Sequence, residues 1–320
     1  MSERTEQNSH TIIMIGAGPA ALSAAIYTTR EDIETILLEK AIPGGMAAIT
    51  DVIDNYPGFP QGVPGTELAV NLQTQAERFG AVIEPAEVTA LHDEGDWKRV
   101  ETTSGDMYAK VVLIATGSDY KKLGIPGEAE YYARGVHYCA TCDGAFYRDK
   151  RIAVVGGGNS AVQEAIFLTR FTSHIDLMVR SKLRASEVLI KELQKYVDEG
   201  AVTIHYGTTT DEILANKDNM VEKITGTITE TGQKIEIPVD GVFVFIGLNP
   251  NSAFLNGALE TDEIGLIKTD EDLMSSMPGV FVAGDIRSGA TMQVASAVGE
   301  GATAALKMRE YLENQERDRI

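Results

Sequence analysis

The sequence is poor in cysteine, tryptophan and positive charge, and it lacks long hydrophobic runs. Its 320 residues include 2 cysteines, 1 tryptophan and 28 lysines and arginines, against 47 aspartates and glutamates. The formal net charge of −19 argues against non-specific binding to nucleic acid and against an anionic membrane surface. No run reaches the roughly 18 apolar residues that a membrane-spanning helix needs. We therefore expect no nucleic acid and no membrane among the partners.

The first ten residues, MSERTEQNSH, are polar and lack the apolar core of a signal peptide. Because both cysteines lie in one redox-type motif, we predict a cytoplasmic protein. Residues 1–9 and 314–320 are expected to be frayed ends.

The two cysteines form one motif, Cys139-Ala-Thr-Cys142, which Asp143 follows directly. A disulfide between them closes a very small ring and constrains the unfolded chain little. The pair is therefore better suited to reversible reduction and oxidation than to stabilising the fold. In disulfide exchange the attacking species is a thiolate. Asp143 is placed to hand a proton to a leaving thiolate.

Two simpler interpretations of the cysteine pair exist. A zinc site needs a second cysteine pair or a pair of histidines, but the five histidines are scattered and there is no further cysteine. We therefore predict no metal. The other alternative is a pair of ordinary buried cysteines.

A dinucleotide-binding pattern opens the chain. The apolar run Thr11–Ile15 leads into a turn with Gly16 and Gly18, and a helical pattern follows. Gly16 permits the turn, Gly18 lets a pyrophosphate approach the backbone, and Ala21 replaces the third glycine. Glu39, which ends the next strand, stands where a ribose hydroxyl needs an acceptor.

The same pattern returns about 140 residues later. The apolar run Arg151–Val155 precedes a turn with Gly156 and Gly158, and Ala161 takes the third position. Two such units predict two bound dinucleotides. The cysteine pair lies just before the second unit, within reach of both.

The two patterns differ where their second strands end. Val179 takes the position of Glu39, and Arg180, Lys182 and Arg184 follow. An acid favours the free ribose of NAD, whereas a nearby arginine accommodates the 2′-phosphate of NADP. The second unit therefore favours NADPH. The alternative is a solvated basic loop.

The fold class that these patterns predict is α/β, with two Rossmann-like dinucleotide-binding domains in three layers. A discontinuous dinucleotide-binding domain is expected at residues 1–117 and 249–320, and a second one, which carries the cysteine motif, at 118–248. Further helices are predicted at 66–80, 186–199 and 293–306, and strands at 82–118, 202–206, 225–231, 234–239, 241–246 and 280–283. Asp285, after the last strand, is expected either to hold a flavin polyol chain or to cap the next helix.

Together these residues resemble the low-molecular-weight thioredoxin reductases, within the flavin-dependent pyridine nucleotide-disulfide oxidoreductases. The resemblance extends from about residue 11 to about residue 313. It implies a homodimer that binds FAD in the domain at 1–117 and 249–320 and NADPH in the domain at 118–248, and that reduces thioredoxin or a thioredoxin-like protein. It also implies that the nicotinamide-nucleotide domain rotates between half-reactions, with hinges near residues 117–121 and 247–250.

The resemblance assigns roles to individual residues. Hydride passes from NADPH to FAD, Cys142 faces the flavin, Cys139 attacks the disulfide of thioredoxin, and Asp143 is the acid of that step. The residues expected to hold FAD are Gly16, Gly18, Pro19, Ala20, Glu39, Lys40, Gly45, Asn55, Val88, Thr116, Gly117, Gly284, Asp285, Gln293 and Val294. Those expected to hold the nicotinamide nucleotide are Gly158, Asn159, Ser160, Ala161, Arg180, Lys182 and Arg184.

The chain departs from the family pattern at three places. The usual His-Arg-Arg-x-x-x-Arg sequence is Met178-Val-Arg-Ser-Lys-Leu-Arg184 here, a Gly-Gly-Gln loop ends in Met46, and an Arg-Gln pair is Met292-Gln293. NADH or another electron donor is therefore an alternative. Further alternatives are a dithiol oxidase, a reductase of a peroxiredoxin system, and a non-enzymatic redox sensor.

Overall fold

The computed structural model describes residues 4–50 and 52–317. The chain divides into two compact units, Met1–Asp119 with Asn249–Ile320 (unit 1) and Tyr120–Leu248 (unit 2). The assignment of a cofactor to each unit stays a prediction. None of the described helices is both long enough and apolar enough to cross a membrane.

The described residues form seven α-helices and nineteen β-strands. The helices are α1 Pro19–Arg30, α2 Gly45–Ala48, α3 Gly65–Arg78, α4 Ala140–Asp143, α5 Asn159–Leu168, α6 Glu187–Asp198 and α7 Val294–Arg317. The strands are β1 Ser9–Ile15, β2 Thr35–Glu39, β3 Val52–Ile53, β4 Val63–Pro64, β5 Val82–Pro85, β6 Val88–Glu94, β7 Trp97–Thr102, β8 Gly105–Ile114, β9 Ser118–Tyr120, β10 Val136–His137, β11 Arg151–Val155, β12 His174–Val179, β13 Val202–Tyr206, β14 Thr208–Ala215, β15 Val221–Ile228, β16 Lys234–Pro238, β17 Gly241–Val244, β18 Leu248–Pro250 and β19 Val280–Val282. Short 3₁₀ helices cover Glu6–Asn8, Gly144–Tyr147 and Ala253–Leu255.

Unit 1 is built on one large sheet with the order β5-β2-β1-β8-β7-β6, in which β19 also pairs with β8. β1 is parallel to β2 and to β8, with Ile13 opposite both Ile36 and Val112. Successive side chains of a strand point to opposite faces. Ile12 and Met14 therefore join the apolar cluster of the helices, while Ile13 joins the cluster on the other face. Because both faces are covered, β1 reads as a continuous apolar run.

Helix α7 packs closely against α1 in unit 1. A Cβ added to Gly301 would lie 2.1 Å from the carbonyl oxygen of Ala20, so only glycine permits this approach. The hydroxyl of Ser23 also donates to the carbonyl of Val298 at 2.8 Å. The small residues of α7 therefore allow close packing against α1, the helix that follows the first glycine turn.

Unit 2 has three layers. A parallel sheet with the order β10-β17-β11-β12-β13 lies between α5 and α6 on one face and the antiparallel sheet β14-β15-β16 on the other. The buried positions of its strands are apolar except for His137 and Asp176, and Asp176 is fully buried. The Asp176 carboxylate accepts hydrogen bonds from Arg151 at 2.7 and 3.0 Å and faces Nε2 of His205 at 2.8 Å. These partners compensate the burial of its charge.

The α/β fold class is confirmed, and four local expectations are corrected. β14 was missed altogether, and β15 begins at Val221 instead of at residue 225. The N-terminal chain is ordered from a 3₁₀ helix at Glu6–Asn8. Helix α7 continues to Arg317, where Glu313 lies four residues from both Arg309 and Arg317 and within 3.8 Å of each. Residues 1–3 and 318–320 of the predicted frayed ends lie outside the described residues.

Candidate functional site

The first glycine turn leaves open space on one side. Gly16 has φ 98°, and a Cβ there would lie 2.7 Å from the carbonyl oxygen of Ala115, so this position requires glycine. At Gly18 an added Cβ would meet no atom nearer than 4.0 Å. Helix α1 begins at Pro19 and carries no side-chain cap. Its first turn therefore faces an open space, while Ala20 is buried behind it.

Glu39 is held rigidly at the end of β2. Its two carboxylate oxygens accept hydrogen bonds from the backbone N–H groups of Ala17 and Ala41, each at 2.8 Å. The first of these groups belongs to the glycine turn, so the carboxylate is fixed beside it. Gly45 borders the same turn, because a Cβ built on it would lie 3.5 Å from the Cα of Gly18. Lys40 is exposed.

The other expected flavin residues of unit 1 lie at the ends of strands and helices. Thr116 and Asn251 exchange hydrogen bonds at 2.9 and 3.0 Å, and Gly117 has φ 66°. The Asn55 amide donates to the Gln293 side chain at 3.0 Å, directly before Val294 opens α7. Val88 opens β6, two residues after Ala86, whose N–H donates to the Glu39 carbonyl at 3.0 Å.

Gly284 and Asp285 follow β19. The Gly284 N–H donates to Glu300 on α7 at 2.8 Å, and Arg287 forms an ion pair with the same carboxylate at 2.6 Å. Burial, together with the charge of Glu300, raises the pKa of Asp285 to about 6. A hydrogen bond from a ligand would stabilise a carboxyl group in this environment.

The second glycine turn repeats the first in unit 2. Gly156 has φ 148°, and a Cβ there would lie 2.3 Å from the carbonyl oxygen of Phe245 and 2.7 Å from the Cβ of Ala161. At Gly158 nothing lies within 4 Å of the added atom. Helix α5 begins at Asn159, and Ser160 in its first turn is exposed.

The basic segment after β12 packs against this second turn. The N–H of Arg184 donates to the carbonyl of Gly157 at 2.6 Å. Ser186, two residues on, donates its N–H to the side chain of Asn159 at 2.8 Å. Arg180, Lys182 and Arg184 are exposed. The backbone of this segment therefore borders the open glycine turn, and its three cationic side chains are open to solvent.

The cysteines form a disulfide at the start of a short helix in unit 2. Cys139 is the N-cap of α4 and its Sγ accepts the N–H of Cys142 at 3.1 Å. The N–H of Asp143 donates to the carbonyl of Cys139 at 3.2 Å. Cys142 is exposed and Cys139 half-buried. The disulfide is therefore accessible within its unit, and Asp143 lies on the same helical turn.

A buried histidine beside the disulfide was not singled out by the sequence. Nδ1 of His137 lies 3.1 Å from Oδ2 of Asp143, and its Nε2 lies 2.7 Å from the hydroxyl of Tyr147. The ring of His137 stacks on Phe243 with centroids 5.1 Å apart. The one available signal was its position, two residues before Cys139 in an apolar strand.

Comparison with known proteins identifies the family. The model of the pyridine nucleotide-disulphide oxidoreductase family matches residues 10–301. The chain belongs to this family and is an oxidoreductase, and the family implies a flavin and a nicotinamide nucleotide as cofactors.

Individual relatives show which members of this family the chain resembles. A thioredoxin reductase of Bacillus subtilis is 39% identical over 310 residues, which cover 97% of this chain and 96% of the relative. One of Treponema pallidum is 36% identical over 308 residues, covering 96% and 98%. The crystal structure of thioredoxin reductase from Streptococcus pyogenes superposes with a TM-score of 0.90 at 38% identity, covering 96% of this chain and 99% of the other. The resemblance to thioredoxin reductases is confirmed.

Proposed function

We propose that this chain is an NADPH-dependent thioredoxin-disulfide reductase that binds FAD in unit 1 and NADPH in unit 2. The observation that carries the proposal is the accessible Cys139–Cys142 disulfide, with Asp143 on the same helical turn. It lies in a chain with two glycine turns that are each open where a pyrophosphate would lie. Relatives named thioredoxin reductase match nearly the whole length of the chain.

The residues around the first turn suit FAD. The open face of Gly18 and the first turn of α1 offer N–H groups to a pyrophosphate, and Glu39 offers its carboxylate to a ribose. Asp285 is placed to receive a hydroxyl of the ribityl chain. The bound flavin supplies the capacity to accept a hydride and to pass two electrons to a disulfide.

The residues around the second turn suit NADPH. Gly158, Asn159, Ser160 and Ala161 would hold the pyrophosphate, and Arg180, Lys182 and Arg184 would bind the 2′-phosphate. Two observations support this choice. Val179 is apolar and buried, so no carboxylate repels the phosphate at that position. The basic segment is also hydrogen-bonded to the glycine turn that it would complete.

The thiols carry out the second half of the reaction. After reduction of the disulfide, Asp143 takes the proton of Cys139, the resulting thiolate attacks the thioredoxin disulfide, and one thioredoxin sulfur leaves and takes that proton. Cys142 then attacks Cys139, which restores the internal disulfide and releases the second thioredoxin sulfur. Two electrons thus pass from the dithiol to thioredoxin. Asp143 carries the proton between the attacking and leaving sulfurs.

We further propose a homodimer that works in the cytoplasm. The homodimer rests on the resemblance to the family, and the cytoplasmic location rests on the presence of both cysteines in one redox-type motif. Sedimentation of the purified flavoprotein would distinguish a dimer from a monomer, and fractionation of cells of the source organism would locate it.

An anaerobic titration of the flavoprotein with NADPH and, separately, with NADH tests the donor. We expect NADPH to bleach the flavin at low molar excess. Bleaching mainly by NADH would show that the basic segment does not select the 2′-phosphate and would favour the NADH alternative. If neither donor bleached the flavin, the assignment of unit 2 would be wrong.

The assay for the acceptor uses Cys139→Ser with Cys142→Ser as its matched control. We expect Cys139→Ser to keep flavin reduction by the donor and to lose turnover with thioredoxin. Turnover that survived this change would contradict the role of Cys139. Oxygen-dependent oxidation of small dithiols by the wild type would favour the dithiol oxidase instead.

A further inference from the structure

Beside the disulfide, His137 lies between two side chains of different acidity, a carboxyl group and a phenol hydroxyl. Its Nδ1 faces the Asp143 carboxylate at 3.1 Å and its Nε2 faces the Tyr147 hydroxyl at 2.7 Å. His137 and Tyr147 are buried, whereas Asp143 is partly open to solvent. The imidazole thus connects the protein interior to the side chain that neighbours the thiols.

The position of the imidazole is determined by its packing. It stacks on Phe243 at 5.1 Å and meets Tyr147 edge-on at 5.3 Å. The Tyr147 ring in turn fills the space where Gly241 has no side chain, since a Cβ there would lie 2.3 Å from the ring. Both rings are therefore packed against buried neighbours, which favours the observed pairing of the two nitrogens.

The chemistry of these partners limits what the ring of His137 can do. A carboxylate only accepts hydrogen bonds, so the ring can hydrogen-bond Asp143 only with a hydrogen on Nδ1. Burial, and to a lesser extent the charges of Asp143 and Asp240, raise the pKa of Tyr147 well above its usual value, so its hydroxyl keeps its proton. That hydroxyl can donate to Nε2 or accept from it, so Tyr147 leaves Nδ1 available to carry the hydrogen that faces Asp143.

We propose that His137 is a positioning residue for thiol–disulfide exchange, which holds the Asp143 carboxyl group where it can move a proton between the thiols. The proposal rests on the dithiol exchange of the proposed function. With Oδ2 lying 3.1 Å from Nδ1 of His137, Asp143 takes the proton of the Cys139 thiol as that sulfur attacks. A sulfur–sulfur bond forms to the acceptor and the acceptor's own bond breaks. Asp143 returns the same proton to the departing thiolate, so protons and electrons balance.

Two disulfides with different leaving groups separate this role from packing. Protonation matters for the basic thiolate released from hydroxyethyl disulfide, but little for the acidic thiolate released from dithiobis(nitrobenzoate). The reduced flavoprotein is mixed with each disulfide under anaerobic conditions and thiol loss is followed. We expect His137→Gln to slow the alkyl reaction about tenfold and the aromatic reaction by less than about twofold.

Two further variants make the test specific. The side-chain amide of Asn can place a donor near the position of Nδ1, so His137→Asn should recover most of the alkyl rate. His137→Gln combined with Asp143→Asn should be no slower than Asp143→Asn alone, because the histidine acts through the carboxylate. Equal slowing of both disulfides, or additive effects in the double variant, would overturn the proposal.

Small disulfides keep this test apart from the identity of the protein acceptor. If wild type failed to reduce thioredoxin but His137→Gln lost the alkyl reaction selectively, the proposed acceptor would be wrong and the role of His137 would stand. If thioredoxin were reduced and His137→Gln showed no selective loss, the role of His137 would be wrong and the acceptor would stand.

Discussion

The two units of the chain share one arrangement of five parallel strands and differ in the residues that come directly after two of those strands. The order is β5-β2-β1-β8-β19 in unit 1 and β13-β12-β11-β17-β10 in unit 2. The second strand ends in Glu39 in unit 1 and in the buried Val179 in unit 2. The fifth strand leads to Asp285 in unit 1 and to Cys139 in unit 2. A repeated backbone thus supplies the same turn twice, and the residues at its strand ends decide the chemistry.

The largest test of this comparison changes the open glycine of each unit. Gly18→Ala and Gly158→Ala both add a methyl group to empty space at negative φ, so both variants should fold. The methyl group would occupy the place of a pyrophosphate. We expect Gly18→Ala to be purified without flavin and Gly158→Ala to be yellow, with KM for the nicotinamide donor raised at least about tenfold. Flavin absorbance and steady-state rates measure both.

The reverse pattern would show that the two cofactors had been assigned to the wrong units. If both variants kept both cofactors at full affinity, the glycine turns would not be binding sites. Either result would break the proposed equivalence of the two units.

A second test concerns the polar residue inside the sheet of unit 2. Asp176 occupies the position that Ile36 has in unit 1, three residues before the strand end. Asp176→Asn leaves Arg151 and His205 without their carboxylate, and we expect it to cost about 3 kcal/mol of unfolding free energy. Ile36→Val, the matched change in unit 1, should cost about 1 kcal/mol. Urea unfolding followed by circular dichroism measures both.

The pH dependence of this effect depends on the pKa of Asp176. Burial alone would raise that pKa, but the hydrogen bonds from His205 and Arg151 outweigh it, so the net pKa lies below its ordinary value. The stability that Asp176 contributes is therefore present above its unfolded pKa and lost as the pH falls through the folded pKa. If Asp176→Asn lost as much stability as the wild type when the pH is lowered, this account would be contradicted.

The third test asks whether the basic segment distinguishes the units. Arg180→Ala with Arg184→Ala should raise KM for NADPH about tenfold, equal to about 1.4 kcal/mol, and leave KM for NADH unchanged. Lys195→Ala, on the exposed face of α6, is the control. Equal losses with both donors would mean that the segment does not contact the 2′-phosphate.

The smallest effect is expected at Asp285 in flavin-free protein. Its folded pKa of about 6 exceeds the unfolded value, so the ionised form opposes folding. Stability should gain about 1 kcal/mol from this group as the pH falls from 7 to 5, and Asp285→Asn should remove that gain. Thermal unfolding of both proteins across this range measures the difference. If the stabilities of the two proteins changed with pH in the same way, burial would not raise the pKa of Asp285.

Elements with strong local signals could be predicted from the sequence, and those that depend on distant partners could not. The helix expected at 186–199 is α6 at Glu187–Asp198, because its apolar residues recur at helical spacing. β14 was missed because its sequence, TTTDEILA, has little alternation and becomes a strand through pairing with β15. The contacts of His137 were missed for a related reason, since Phe243, on which it stacks, lies far away in the chain.

Because unit 1 is discontinuous in the sequence, it cannot complete its fold until the segment that follows unit 2 has been synthesised. Residues 1–119 are synthesised before unit 2, but β19 and α7, which complete their sheet and cover α1, are synthesised after it. Unit 2 is contiguous and can close while synthesis continues. Until the C-terminal helix emerges, the apolar side of α1 lacks its cover and needs protection from aggregation. The N-terminal half-unit is therefore the segment of the nascent chain that we expect chaperones to hold.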